Sequence, residues 1–303
     1  AAGAKVRRGP ARPAAGRPPS FPPARIAVMN AMIAKLTPLQ TPLAKPSRND
    51  WLARFPESGQ TFEEWCGSGP HTITGRRTVL CIQPLGDFSK SEDSIVALAA
   101  EFLGNYFGLQ VRTLRPQPLD NVPPRAQRMN SHTHERQIRT GYLLDDVLKP
   151  ALPDDAAVLL GFTARDLWPG AGWNFVFGQA SLENSVGVWS IHRFGNPDAG
   201  DPAFQTALLR TLKLASHETG HMFGMLHCTA WECNMCGSNH LEETDRHPLR
   251  LCPPCLAKLC LATGISPEAH LRGLAEFCRR HALNAEADAL AEQLLALGGE
   301  AAP

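Results

Sequence analysis

No run of apolar residues reaches the ~18 needed to cross a bilayer, and no charged-then-apolar signal segment opens the sequence. Charge of one sign is also missing: 30 basic against 29 acidic side chains leave a formal charge of +1. That argues against a general polyanion binder, which carries a marked basic excess. Tyrosine is scarce, with only Tyr106 and Tyr142 in 303 residues. Acidic residues are absent before Asp50, and the opening stretch AAGAKVRRGPARPAAGRPPSFPPAR has almost no large apolar side chains. Such a segment builds no core, and its prolines break the amphipathic helix of an organelle transit peptide, so a disordered arm is expected.

What is present reads as globular. The chain is 43% apolar and 19% charged, long enough for one large or two small domains. Of its nine cysteines, an odd number, five (Cys228, Cys233, Cys236, Cys252 and Cys255) crowd into one stretch. That pattern favours metal binding over disulfides, and with it a reducing compartment, cytoplasmic or nuclear.

From Arg77 onward, short apolar runs alternate with helical periods, as in a layered α/β domain. Strands are expected over Thr78 to Pro84, Leu109 to Leu114, Ala156 to Phe162, Asn174 to Ala180 and Val186 to Phe194. The turn residues LENS between the last two point to an antiparallel pair. Helices are expected over Ser94 to Phe107, with Asp93 or Ser94 as N-cap, and over Glu135 to Leu148. A long helix follows over Ala203 to Phe223, and two more cover about Ser266 to Leu283 and Ala285 to Leu297.

The long helix carries His217, Glu218, His221, Gly224 and His227 in the pattern H-E-x-x-H-x-x-G-x-x-H. Residues four apart share one helix face, so His217 and His221 aim their imidazoles at a single cation, and zinc is the natural ion. Gly224 turns the chain through a left-handed conformation and brings His227 in as third ligand. Three neutral imidazoles leave a fourth position for water, which is the arrangement of a catalytic zinc. Glu218 is placed to take the water's proton and pass it to a leaving amine, so peptide hydrolysis is the expected reaction. Five fixed positions recur by chance about once in three million starts.

The cysteines offer a second metal site. Cys233-x2-Cys236 with Cys252-x2-Cys255 has zinc-ribbon spacing, while Cys228, Cys233, Cys252 and Cys255 form a rival set. Spacing slightly favours the ribbon, and one thiol is spare in either case. Basic and aromatic residues are sparse nearby, which disfavours a nucleic-acid role.

These residues resemble the archaemetzincins, a family of zinc peptidases in the metzincin clan. The histidine motif followed at once by Cys228, then Cys233, Met235, and later Cys252 and Cys255, is similar to the family pattern. The resemblance implies that His217, His221 and His227 hold a catalytic zinc and that Glu218 is general base. It implies that Cys228, Cys233, Cys252 and Cys255 hold a structural zinc, with Cys236 as the alternative ligand. Met235 is implied to be the Met-turn residue forming an apolar floor beneath the metal. The implied architecture is a twisted five-stranded mixed sheet with a long active-site helix. Its fourth strand, here Asn174 to Ala180, would be an exposed edge that pairs with substrate backbone.

Some metzincins carry a tyrosine two residues past the Met-turn methionine, where this chain has Gly237. Both tyrosines are expected far from the motif, and His240 reads as a turn histidine. The expected division is a poorly ordered segment 1–50, a catalytic domain 51–262 containing the zinc-binding segment 228–255, and C-terminal helices over 263–303. The expected protein is a monomeric metallopeptidase with two zinc ions, acting on peptides or proteins without nucleic-acid or membrane partners, with aminopeptidase action as the finer expectation. A catalytically weak zinc protein that binds peptides is the alternative.

Overall fold

A computed structural model describes residues 21–73 and 75–299 together with the backbone of residues 5–7. In chain order the strands are β1 (Lys5–Arg7), β2 (Val79–Leu85), β3 (Gln110–Thr113), β4 (Gln127–Met129), β5 (Arg136–Arg139), β6 (Ala156–Thr163), β7 (Asp166–Trp168), β8 (Gly178–Ser181) and β9 (Val186–Ser190). The helices are α1 (Pro23–Leu36), α2 (Trp51–Arg54), α3 (Phe62–Gly67), α4 (Lys90–Phe107), α5 (140–151, with a π-helical turn Leu143–Leu148), α6 (Asp201–Met222), α7 (Leu241–Arg246), α8 (Pro253–Thr263), α9 (Pro267–Arg280) and α10 (Asn284–Ala296).

The main sheet runs β1-β8-β9-β6-β2-β3. Strands β3, β2, β6 and β9 are parallel, and β8 is antiparallel to β9, so the five expected strands make one mixed sheet. Strands β2, β6 and β9 are buried along their whole lengths, which is why they read as unbroken apolar runs. Helices α4 and α6 cover one face, where Leu80, Ile82, Val158, Leu160 and Leu212 meet, and α5 covers the other with Leu143, Leu144 and Leu148. Helices α9 and α10 join the first of these clusters through Leu271, Phe277, Leu290 and Leu294.

Several expectations need correction. Helix α4 begins one turn early, because Ser89 and Glu92 form a reciprocal capping box at 3.3 and 2.7 Å. The helix expected from Glu135 starts only at Thr140. Residues Arg136–Arg139 are instead strand β5, paired with β4 and β7, because Gln137 is buried and donates to Asp166 at 2.8 Å. The fourth strand is Gly178–Ser181 rather than Asn174 to Ala180, since the carbonyl of Asn174 accepts from Arg128 and Gln137. Its outer edge is not free: Lys5–Arg7 pairs there in parallel, with Lys5 opposite Gln179, as a sixth strand. The segment 1–50 is not wholly irregular either. Met29, Met32 and Leu36 of α1 are buried at helical spacing and pack into the same core as α8. The rest of the expected disordered arm, residues 1–4 and 8–20, lies outside the described residues.

On α9, His270 is 1% exposed, lies 2.8 Å from the Tyr106 carbonyl through Nδ1, and is pushed down to about 4 by burial. The folded protein therefore resists a proton that the unfolded chain accepts. This contribution to stability is complete above pH 6.5 and drains away as pH falls toward 4. At equal metal loading, His270→Gln should lose stability less steeply across that window, by up to about 1.4 kcal/mol per pH unit. Denaturant titrations at several pH values check this, and parallel curves for the two proteins would contradict it.

Candidate metal centre

Helix α6 is uncapped by any side chain at its N-terminus and ends at Met222, where Gly224 (φ 79°) adopts the left-handed conformation foreseen for it. His217 and His221 project from one face, and the turn returns His227 to them. One ring nitrogen from each lies within 4.8 Å of the other two. The Nδ1 atoms point elsewhere: that of His217 lies 2.7 Å from the Asn234 carbonyl, that of His221 lies 2.6 Å from the Met225 carbonyl, and that of His227 lies 2.7 Å from Glu57 Oε2. Carbonyl and carboxylate oxygens only accept, so each Nδ1 carries the proton and each Nε2 keeps a lone pair. The Nε2 atoms of His217 and His221 are 3.0 Å apart. Lone pairs converging at that distance fit a cation between them. Burial, with His227 adding to it, pushes His217 down to about 3, so its ring is neutral near pH 7.

Glu218 is fully buried, and among the described residues neither of its carboxylate oxygens has a hydrogen-bond partner. Its nearest ring neighbour is His217 Nε2, at 3.8 Å. Burial alone pushes Glu218 up to about 8. An orphaned buried carboxylate beside three imidazoles fits a base that waits for a metal and its water.

Met235 is buried with its sulfur against Gly220 of α6, next to His221 in the chain. Its carbonyl accepts from Cys228 N at 2.8 Å, which ties the histidine motif to the cysteine-rich loop. There the Sγ atoms of Cys228, Cys233, Cys252 and Cys255 lie within 4.8 Å of one another. Cys236 stands outside that group, with its Sγ 3.2 Å from the Trp231 carbonyl. The ribbon set therefore does not form: Cys236 is not among the converging sulfurs, and Cys228 takes its place. The backbone N–H groups of Met235 and Cys252 both point at Cys233 Sγ, at 3.4 and 3.2 Å, as they would at a thiolate. Shared thiol protons push Cys228 down, while burial pushes Cys233 and Cys252 up. Four buried sulfurs so arranged match the donor set of a tetrahedral structural zinc.

Two cavities flank the histidines and share Trp51 and His227. One, about 50 Å³, is lined by Phe177, Lys213, Glu218, Asn234 and His247. The other, about 610 Å³, opens past Phe55, Glu57, Trp173 and Leu226. Lys213 is buried one turn before His217 and donates to the Thr244 and Asp245 carbonyls at 3.3 and 3.1 Å. Burial pushes its pKa down.

Tyr106 is not remote after all. From α4 its hydroxyl reaches 3.4 Å from Asn234 Nδ2, the same Asn234 that positions His217, and burial pushes its phenol well up. His240 caps α7, accepting from Glu243 N at 3.3 Å, in keeping with a turn histidine.

Sequence reading missed Trp51 and Glu57. Trp51 packs edge-on against His227 at 5.1 Å and lies over Gly237, where a Cβ would come within 2.4 Å of its Cδ1. The ring thus occupies the space that a side chain at position 237 would need. Gly237→Ala should cost about 1–3 kcal/mol and displace Trp51 from His227. Denaturant titration and zinc retention check this, and an unchanged midpoint with full zinc would contradict it.

The sequence model of Peptidase family M54 matches residues 141–260. The chain is 36% identical over 271 residues to human "Archaemetzincin-2", covering 79% of this chain and 74% of that protein. It is 30% identical over 181 residues to the "Archaemetzincin" of Methanocaldococcus jannaschii, covering 59% of this chain and 92% of that protein. A crystal structure of the archaemetzincin of Methanopyrus kandleri aligns at 31% identity with a TM-score of 0.49, over 62% of this chain and 96% of that one.

Proposed function

Because this chain belongs to the archaemetzincins, peptidase family M54, and is a zinc metallopeptidase, we propose that Glu218 is the general base of peptide-bond hydrolysis at the His217, His221 and His227 site. The observation that carries the reading is the buried Glu218 carboxylate, without hydrogen-bond partners among the described residues, beside three imidazoles whose protons face away from their common centre. Zinc bound there supplies Lewis acidity, polarising a carbonyl and making water acidic near neutral pH. The chain's own groups do the rest. Glu218 holds the proton taken from the attacking water and delivers it to the departing amine. The Asn234 and Met225 carbonyls fix the rings of His217 and His221 through Nδ1. Trp51 and Phe177 line the cleft beside His217 and Glu218.

The second zinc of the proposal is held by Cys228, Cys233, Cys252 and Cys255, which brace the loop that carries His227. Aminopeptidase action is the finer form of the proposal. The near-zero net charge supports a peptide partner over nucleic acid, and a thiol-rich metal site supports work in a reducing compartment, the cytoplasm or nucleus; a monomer is part of the proposal.

Incubating zinc-loaded protein with a diverse peptide mixture and reading the products by mass spectrometry tests this. Cleavage should vanish on chelation and in His221→Ala, with cuts one residue from free amino ends. Internal cuts would remove the aminopeptidase form and leave the hydrolase. Silence from protein carrying zinc at both sites would favour a peptide-binding role.

A further inference from the structure

We propose that Glu57 is a positioning residue for the catalytic metal: its carboxylate holds His227 in the tautomer and orientation that present Nε2 to the ion. The inference rests on the reading of the three imidazoles as a zinc site, and it extends that site to a segment upstream of the family-matched residues 141–260.

The three histidines are held differently. His217 and His221 stand on a helix, and each gives its Nδ1 proton to a backbone carbonyl of a neighbouring turn. His227 lies beyond the end of α6, in a loop without helix or strand of its own. Its ring therefore depends on outside support, which comes from 170 positions upstream. Glu57 Oε2 sits 2.7 Å from His227 Nδ1, and its other oxygen accepts from Trp51 Nε1 at 3.1 Å. Both carboxylate oxygens are thus engaged, one on the ligand and one on the indole that packs against that ligand.

The supporting segment is itself anchored to the same loop. Gln60 donates to the Gly224 carbonyl at 3.3 Å and accepts from Leu226 N at 3.2 Å. Lys258 Nζ holds the Gln60 carbonyl at 2.6 Å, and Trp65 Nε1 donates to the Phe223 carbonyl at 3.1 Å. Glu57 is consequently fixed relative to His227 by contacts on both sides. An anionic acceptor draws harder on the Nδ1 proton than a neutral carbonyl does, which makes the opposite nitrogen a better donor to a metal.

The test uses the full chain with Glu57→Gln, which keeps the shape and removes the charge, and with Glu57→Ala. Zinc affinity of the histidine site is measured by competition with a chromophoric chelator, and the absorption of the cobalt-substituted protein reports ligand geometry. Affinity should fall about 10- to 100-fold in the alanine variant and less in the glutamine variant. The cobalt spectrum should change, while the cysteine site keeps its metal and the unfolding midpoint of protein loaded at the cysteine site alone stays in place. The side chain is one-third exposed, so both variants are expected to fold. Affinity and spectrum unchanged in both variants, with wild type binding zinc normally, would overturn the role of Glu57 alone. Wild-type protein that takes metal only at the cysteines would overturn the zinc reading and this proposal with it.

Discussion

Glu218→Gln is expected to lower peptide cleavage about 100- to 10,000-fold while leaving zinc content unchanged, which is the range for loss of a positioned general base. Glutamine has nearly the same volume, so the buried pocket around position 218, with no exposed surface, keeps its packing. The amide cannot take up and return a proton. Because Glu218 makes no hydrogen bond that folds the protein among the described residues, its replacement leaves no orphaned partner behind. Removing a buried carboxylate that burial drives up to about 8 should, if anything, raise the unfolding midpoint at alkaline pH. Steady-state kinetics beside metal analysis check the prediction. Cleavage by the variant within threefold of wild type would remove Glu218 from the chemistry.

The second large effect is expected at Cys233. Its sulfur is fully buried, lies with those of Cys228, Cys252 and Cys255, and accepts two backbone N–H groups. Cys233→Ser should cost one zinc equivalent and, with it, stabilisation on the order of 10 kcal/mol that such ions supply. A domain's whole stability is about 5–15 kcal/mol, so the variant should be largely unfolded at 37 °C or leave a melted segment over 228–263. Activity should go too, because Cys228 directly follows His227 and the cluster holds that loop. Metal analysis and thermal unfolding check this. Two zinc ions and an unchanged midpoint in the variant would show that the sulfurs bind no structural metal. By the same geometry Cys236→Ser should keep both metals, since its thiol faces the Trp231 carbonyl.

The strands and long helices were legible because their signals are local. Strands β2, β6 and β9 are unbroken apolar runs, and α6 repeats its buried face every three to four residues. Failures came where a distant partner overrode the local pattern. Residues 136–139 have helical neighbours on their C-terminal side, yet the buried Gln137 amide needs Asp166, and that requirement makes a strand. Helix α1 was hidden by the proline- and arginine-rich stretch before it, although Met29, Met32 and Leu36 carry a helical stripe.

By itself the sequence determined the donor types and the helix that displays them. Spacing of four on an α-helix places His217 and His221 on one face, and a glycine at 224 permits the turn that returns His227. It also determined that a second, thiol-rich site lies close behind. Only the tertiary structure decided which four of five neighbouring thiols come together, because their local spacings admit two sets and slightly favour the ribbon, whereas the folded loop at the start of α8 brings the other set together. It alone decided that Glu57 and Trp51 stand beside His227, since contacts across 170 residues leave no periodic trace in the sequence.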